Sequence, residues 1–274
     1  MEKISLKETA KETLKIIEQG YYINQNRERV DIKRIQQNAI FETIYYSSKE
    51  LDNTLINLKL KPNFSTVFEV IEETTIQSIL RNTSEGYSNP MCLNFASAKN
   101  PGGGFFNGAK AQEESIARSS GLYPCQISKM KFYEVHRKMK SCIYTDGMIY
   151  SPKVPVIRKD NGQLLDKPIL SSIITSAAVN MGVVRKFETK RVSEIEDIMK
   201  LRIDKLLGLS ISKNHRNLIL GAWGCGVFQN DPQMIARIFS VLLKEKYNGV
   251  FEKVTFSIYS KNKKFIEAFK SEFE

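Results

Sequence analysis

Apolar positions recur along this chain with two periods, and the switch between them divides it. From Ser5 to Gln19 the apolar residues Leu6, Ala10, Leu14 and Ile17 fall at helical spacing. Ser5 and Glu8 make an S-x-x-E capping box ahead of them and Gly20 supplies the stop, so a helix is predicted over Ser5 to Gln19. Mixed, polar sequence runs from Tyr21 to Asn63, with a further helix predicted at Ile32 to Phe41. At Thr66 to Ile71 the pattern becomes strand-like.

From that point short apolar strands alternate with amphipathic helices. Strands are predicted at Met91 to Phe95, Met148 to Ser151, Ser171 to Thr175, Asn217 to Gly221 and Lys253 to Tyr259. Helices are predicted at Thr75 to Arg81 and from Gln112, Ser193, Asp231 and Asn262. Ser193 with Glu196 repeats the capping box, and Asp231-Pro232 reads as an N-cap followed by a first-turn proline. The alternation predicts an α/β fold in which a mixed or mainly parallel sheet lies between helices. The change of character near residue 64 gives two parts: an N-terminal helical extension over 1–63 packed on a core domain over 64–274. A length of 274 residues with 42% apolar side chains suffices for one sizeable core.

Charge and composition narrow the class. No stretch approaches the roughly 18 consecutive apolar residues of a membrane span, and the N-terminal sequence lacks the apolar core of a signal peptide. A cytoplasmic protein is expected, or a nuclear one in a nucleated cell. The 41 Lys and Arg outweigh 30 Asp and Glu, a net charge of +11 that favours an anionic partner. Cations cluster at Lys129, Lys131, Arg137, Lys138 and Lys140 and again at Lys261, Lys263 and Lys264, each on a predicted helix where a solvated face is the ordinary reading. No helix-turn-helix, zinc-finger or RNP pattern accompanies them, which argues against nucleic-acid binding in its own right. Cys92, Cys125, Cys142 and Cys225 are far apart, without a CxxC pair and with only His136 and His215 beside them, so no metal site is expected. Cys92 reads as a small core residue. Cys225, between two glycines, reads as exposed and offers an alternative catalytic thiol.

The chemistry concentrates in two glycine loops, each following a predicted strand. The first, within Asn94 to Arg118, carries Gly102-Gly103-Gly104 ahead of Gln112-Glu113-Glu114. Successive glycines let backbone N–H groups approach an anion closely. The second is Gly221-Ala-Trp-Gly224-Cys-Gly226-Val-Phe228, before the helix opened by Asp231. Glycines at a helix N-terminus favour negative charge. Gln229 stands where a dinucleotide fingerprint would have its third glycine, and the loop comes late in the chain, so a nicotinamide enzyme is not indicated. Two loops can grip the two charged groups of a pyrophosphate, which makes a nucleotide diphosphate the natural ligand. Of the aromatics beside them, Phe228 is the candidate for contact with it; Phe105 and Phe106 are read as core. Consecutive helical side chains diverge by about 100°, so Glu113 and Glu114 are expected to take different roles, one acting and the other orienting. First-turn carboxylates facing solvent are the competing reading.

The run NFASAKNPGGGFFNGAKAQEESIARSSGLY resembles the signature of the bacterial-type poly(ADP-ribose) glycohydrolases, a branch of the macrodomain fold. KETLKIIEQGYYIN, FEVIEETTIQSI, IYSPKVPVIRKDNGQLLDKPILSSIITSAAVN and GAWGCGVFQNDP extend the likeness over most of the chain. The resemblance implies a macrodomain-like sheet, Glu114 as the catalytic acid and Glu113 as the residue that positions a ribose hydroxyl. It further implies substrate binding by Asn100, Gly102, Gly103, Gly104 and Gln112 and by Gly224, Cys225, Gly226, Val227 and Phe228. It requires no cofactor. The implied reaction is hydrolysis of ribose–ribose O-glycosidic bonds in poly(ADP-ribose), with ADP-ribose as product and polymer or ADP-ribosylated macromolecules as partners. Removal of single ADP-ribose units from protein or nucleic acid is the alternative activity, and a non-catalytic ADP-ribose reader the alternative of another class. Gln229 departs from the glycine of many relatives, which bears on the entrance to the second loop.

Overall fold

A computed structural model describes residues 5–274. In chain order the helices are α1 (Leu6–Gln19), α2 (Lys33–Phe41), α3 (Ser48–Ile56), α4 (Thr75–Ser84), α5 (Gln112–Ser119), α6 (Leu122–Ile127), α7 (Lys131–Lys138), α8 (Met181–Phe187), α9 (Ile195–Ser212), α10 (Pro232–Val241) and α11 (Lys263–Phe273). The strands are β1 (Tyr21–Ile23), β2 (Arg29–Asp31), β3 (Ile44–Tyr46), β4 (Val67–Ile71), β5 (Met91–Phe95), β6 (Met148–Arg158), β7 (Leu164–Ser176), β8 (Asn217–Leu220) and β9 (Lys253–Ser257). No helix among the described residues is long and apolar enough to cross a membrane.

Seven strands form one mixed sheet in the order β3-β6-β7-β5-β8-β9-β4, parallel from β7 to β4 and antiparallel at the β3 side. Apolar residues on one face meet α9, α10 and α11 through Met199, Ile203, Leu206, Ile235, Phe239 and Phe269. A smaller cluster on Ile76, Ile79, Ile116 and Leu122 covers the other. The macrodomain-like sheet between helices is therefore as expected.

The caps explain where several helices begin. Ser5 accepts from Glu8 N while the Glu8 carboxylate accepts from Ser5 N, and Gly20 ends the helix at φ 79°. Asp231 caps α10 with Pro232 in the first turn. The expected box at Ser193 and Glu196 does not form. Thr189–Glu194 already turns as a tighter helix that runs into α9, so Ser193 never takes the extended conformation that an N-cap needs. The strands predicted at 148–151 and 171–175 are the ends of a much longer hairpin, β6 and β7. Pro152, Pro155 and Pro168 and two register shifts interrupt its alternation. The extension is not all helix: β1 and β2 pair, and β3 forms the sheet edge through Ile44↔Tyr150.

Candidate active site

The crevice is opened by a parting of strands. β5 pairs with β8 only at Met91↔Leu218 and Cys92↔Ile219, whereas it stays with β7 as far as Phe95↔Ser176. Beyond Cys92 one edge of β5 would lack partners. The Gln112 side chain takes that edge: its Oε1 accepts from Phe95 N at 2.9 Å and its Nε2 donates to Leu93 O at 2.7 Å and Thr75 Oγ1 at 3.0 Å. One amide thus imitates a strand and fixes the start of α5 against the sheet. The cleft above encloses about 1420 Å³ and is bordered by both glycine loops, at the carboxyl ends of β5 and β8.

The first turn of α5 points its two acids in different directions. Glu113 is 3% exposed and turns inward; Oε1 accepts from Gln126 Nε2 at 2.8 Å and Asn94 Nδ2 at 3.3 Å, and Oε2 from Ser97 N at 2.7 Å. Burial raises its pKa to about 7 against the opposing effect of those donors, and the neighbouring Glu114 adds to the rise. Glu114 turns toward the glycines, where Oε1 accepts from Gly104 N at 2.8 Å. Its Oε2 is buried without a partner among the described residues. Gly103 has φ 57°, and a Cβ there would run into Glu114 Oε1 and come within 3.1 Å of Glu113 Oε2. Only glycine lets the loop lie over both carboxylates.

The second loop is built differently. Asn230, 2% exposed, donates through Nδ2 to Val179 O at 2.7 Å and Gly224 O at 3.1 Å, while its own N–H donates to Gly224 O at 3.0 Å. Gly224 has φ 76°, and a Cβ there would press on Asn230 and Ala178. The N–H groups of Gly224, Gly226, Val227 and Phe228 have no partner among the described residues. Gly226 borders open space, Val227 is exposed, and Phe228 lines the cleft with its ring 6.1 Å from that of Tyr144.

A family model described as microbial-type PARG, catalytic domain, matches residues 10–159, more than half of the sequence. The chain belongs to the microbial-type poly(ADP-ribose) glycohydrolases. Among solved structures it is similar to the poly(ADP-ribose) glycohydrolase of Thermomonospora curvata, with 38% identity, a TM-score of 0.94 and coverage of 98% of this chain and 99% of that one. The same protein bound to the inhibitor ADP-HPD matches at 37% identity and TM-score 0.91, over 97% of this chain and 98% of that one. The poly(ADP-ribose) glycohydrolase of Deinococcus radiodurans in complex with ADP-ribose matches at 39% identity and TM-score 0.83, over 87% and 97%. A search of curated proteins returned no match.

In this glycohydrolase Asn100, Gly103, Gly104, Glu113, Glu114, Gly224, Gly226, Val227 and Phe228 all border one cleft. Three readings from the sequence change, those of Gln112, Cys225 and Phe106. Gln112 borders the cleft, but its amide is committed to β5 and α4, which makes it a positioning residue. Cys225 is buried, not exposed, and burial pushes its thiol well above the ordinary range, which removes the thiol reading. Phe105 is buried as expected, whereas Phe106 is 45% exposed at the cleft. Gln229 adopts φ 56°, the left-handed conformation that glycine prefers, with its side chain against Gly182.

Sequence reasoning passed over Asn94, Ser97 and Gln126, which hold Glu113, because nothing in their spacing ties them to it. It also passed over Asp160, at the β6–β7 tip, which accepts from Thr74 Oγ1 at 2.6 Å and from Ser115 Oγ at 2.7 Å. Arg118 lines the cleft one helical turn after Glu114, and that i+4 spacing could have been noticed.

Proposed function

We propose that Glu114 is the acid/base residue with which this poly(ADP-ribose) glycohydrolase cleaves ribose–ribose O-glycosidic bonds. The observation that carries this is the unpartnered, buried Glu114 Oε2 at the cleft, beside an Oε1 fixed by Gly104 N. A carboxyl group with one oxygen held and the other without a partner among the described residues keeps that second oxygen available to a ligand that enters beside it. Glu113 has both oxygens engaged by N–H donors and serves to position the substrate ribose and the loop.

Cleavage runs through an oxocarbenium-like centre. Protonated Glu114 gives its proton to the departing ribose oxygen as the C–O bond breaks. The resulting carboxylate then takes a proton from the water that attacks the anomeric carbon, which restores the acid. The products are ADP-ribose and a polymer one unit shorter. The free N–H groups of the second loop hold the diphosphate and Phe228 packs on the bound unit; Gly102, expected to join them, is buried and does not border the cleft. Holding the anomeric carbon against Glu114 in this way can contribute on the order of 7–11 kcal/mol. The relatives bound to ADP-ribose and to ADP-HPD support the choice of ligand. The volume of about 1420 Å³ exceeds the roughly 300–1,000 Å³ of ordinary small-molecule pockets, as suits a unit still joined to polymer.

The test is Glu114→Gln. Release of ADP-ribose from labelled polymer should fall at least 1,000-fold, on the order of 4 kcal/mol of barrier, while calorimetry still detects ADP-ribose binding. Release at the wild-type rate would overturn the assignment.

A further inference from the structure

The basic cluster near residue 140 has a place beside the cleft. α7 turns Phe132, Tyr133 and His136 inward against Ala98, Tyr144 and Ala177 and leaves Arg137 and Lys138 exposed. Arg137 Nε donates to Lys99 O at 2.7 Å, so this helix abuts the residue just before Asn100 in the first loop. On the other flank, Gly182 N donates to Phe228 O at 3.1 Å, which ties α8 to the second loop, and Asn180 N donates to Cys142 O at 3.0 Å, which ties α8 back to the segment after α7. Lys99, Arg137, Lys138, Lys140, Arg185 and Lys186 therefore form one band that touches both glycine loops.

These six cations form no ion pair among the described residues, unlike those at the opposite sheet edge. There Arg81 is met by Glu69, Glu73 and Glu85, Lys253 by Glu69 and Glu85, and Lys263 by Glu72. Two carboxylates lie within the band. Glu188 is already engaged by Ser141 Oγ, Cys142 N and Arg191, and Glu134 leaves the balance strongly positive. Phe187, 70% exposed, stands in the band with Lys186 Nζ 5.1 Å from its ring centre.

We propose that this band binds the part of the polymer that lies outside the cleft. The inference rests on the glycohydrolase reading above. A chain carrying two phosphates and one adenine per unit presents what unpaired cations and an exposed aromatic recognise, charge along its length and a stackable face. Contact with both loops favours the tethered substrate over free nucleic acid, because a polymer with one unit in the cleft is delivered to the band at high effective concentration.

The test compares wild type with the triple variant Lys138→Gln, Lys140→Gln, Lys186→Gln, none of which touches the acids or the loops. Steady-state rates are measured on long polymer and on a substrate of two linked ADP-ribose units, from 50 to 200 mM salt. For wild type on long polymer, log KM should rise steeply with log salt. The variant's slope should be lower by about 2, at ~0.7 for each phosphate that no longer meets a cation, which removes roughly a 15-fold dependence across that range. Its kcat on long polymer and its KM on the short substrate should match wild type. An unchanged slope, or equal losses on both substrates, would overturn the proposal. So would single-stranded DNA of matched charge that competes as well as polymer for wild type and loses this with the variant, since the band would then be a nucleic-acid site. Failure of wild type to cut either substrate would instead defeat the glycohydrolase reading on which the inference stands.

Discussion

The two glycine loops look alike in sequence and are built in opposite ways. The first is held by carboxylates that accept backbone N–H groups, Glu113 from Ser97 and Glu114 from Gly104. The second is held by the Asn230 amide, which donates to backbone carbonyls at Val179 and Gly224. The first support consumes N–H groups and the second leaves them free. The unpartnered N–H groups therefore lie at the second loop, whereas the first is fixed against Glu113 and Glu114. The choice of acid or amide beneath a glycine loop thus decides whether that loop keeps its N–H groups free.

The difference also makes one support titratable. Glu113 has its folded pKa raised to about 7 from an ordinary 4.5. A raised carboxyl stabilises the fold fully below the unfolded value and loses that contribution as pH rises through the folded one. The stability of wild type relative to Glu113→Gln should thus fall between about pH 4.5 and pH 7, by on the order of 3 kcal/mol, and stay level above. Chemical denaturation of both proteins across that range measures it, and a flat difference would remove the contrast between an acid and an amide support.

The next largest effect is expected in the first loop. Gly103→Ala sets a Cβ into Glu114 at φ 57°, and kcat should fall about 100-fold, the order of loss that follows a displacement of about 1 Å at a reacting group. Single-turnover kinetics would detect it, and an unaltered kcat would mean that Glu114 needs no such support. In the second loop Gly226→Ala meets open space and no left-handed strain. Here the melting temperature should not move, while KM for polymer rises about 10-fold at constant kcat, the signature of weakened uniform binding. An effect on kcat instead of KM would show that the loops do not divide the work as described.

Much of the fold can be read along the chain because its signals are local. Capping at Ser5, the Asp231-Pro232 start and the short apolar strands 91–95 and 217–220 each lie within a few residues of one another, and each element formed where expected. The long β6–β7 hairpin was shortened in the reading by prolines and bulges that interrupt alternation without ending the pairing. β3 is only Ile44-Tyr45-Tyr46, too short to show a period along the chain, and its pairing with the β6 edge is what defines it. At the site, the glycines and the two acids were legible because their chemistry is written in adjacent residues. Gln126 and Asn94 were not, since they reach Glu113 across 13 and 19 positions.

By itself the sequence determined that two glycine loops follow strands and that Glu113 and Glu114 must diverge by helical geometry; Glu114 as the acid is what the family resemblance implies. Only the tertiary structure decided which loop keeps its N–H groups, that Cys225 is sealed in the core, and that Gln112 completes a strand edge. The physical reason is that direction along a helix is fixed by a few dihedrals, whereas burial and hydrogen-bond satisfaction depend on which distant segments arrive.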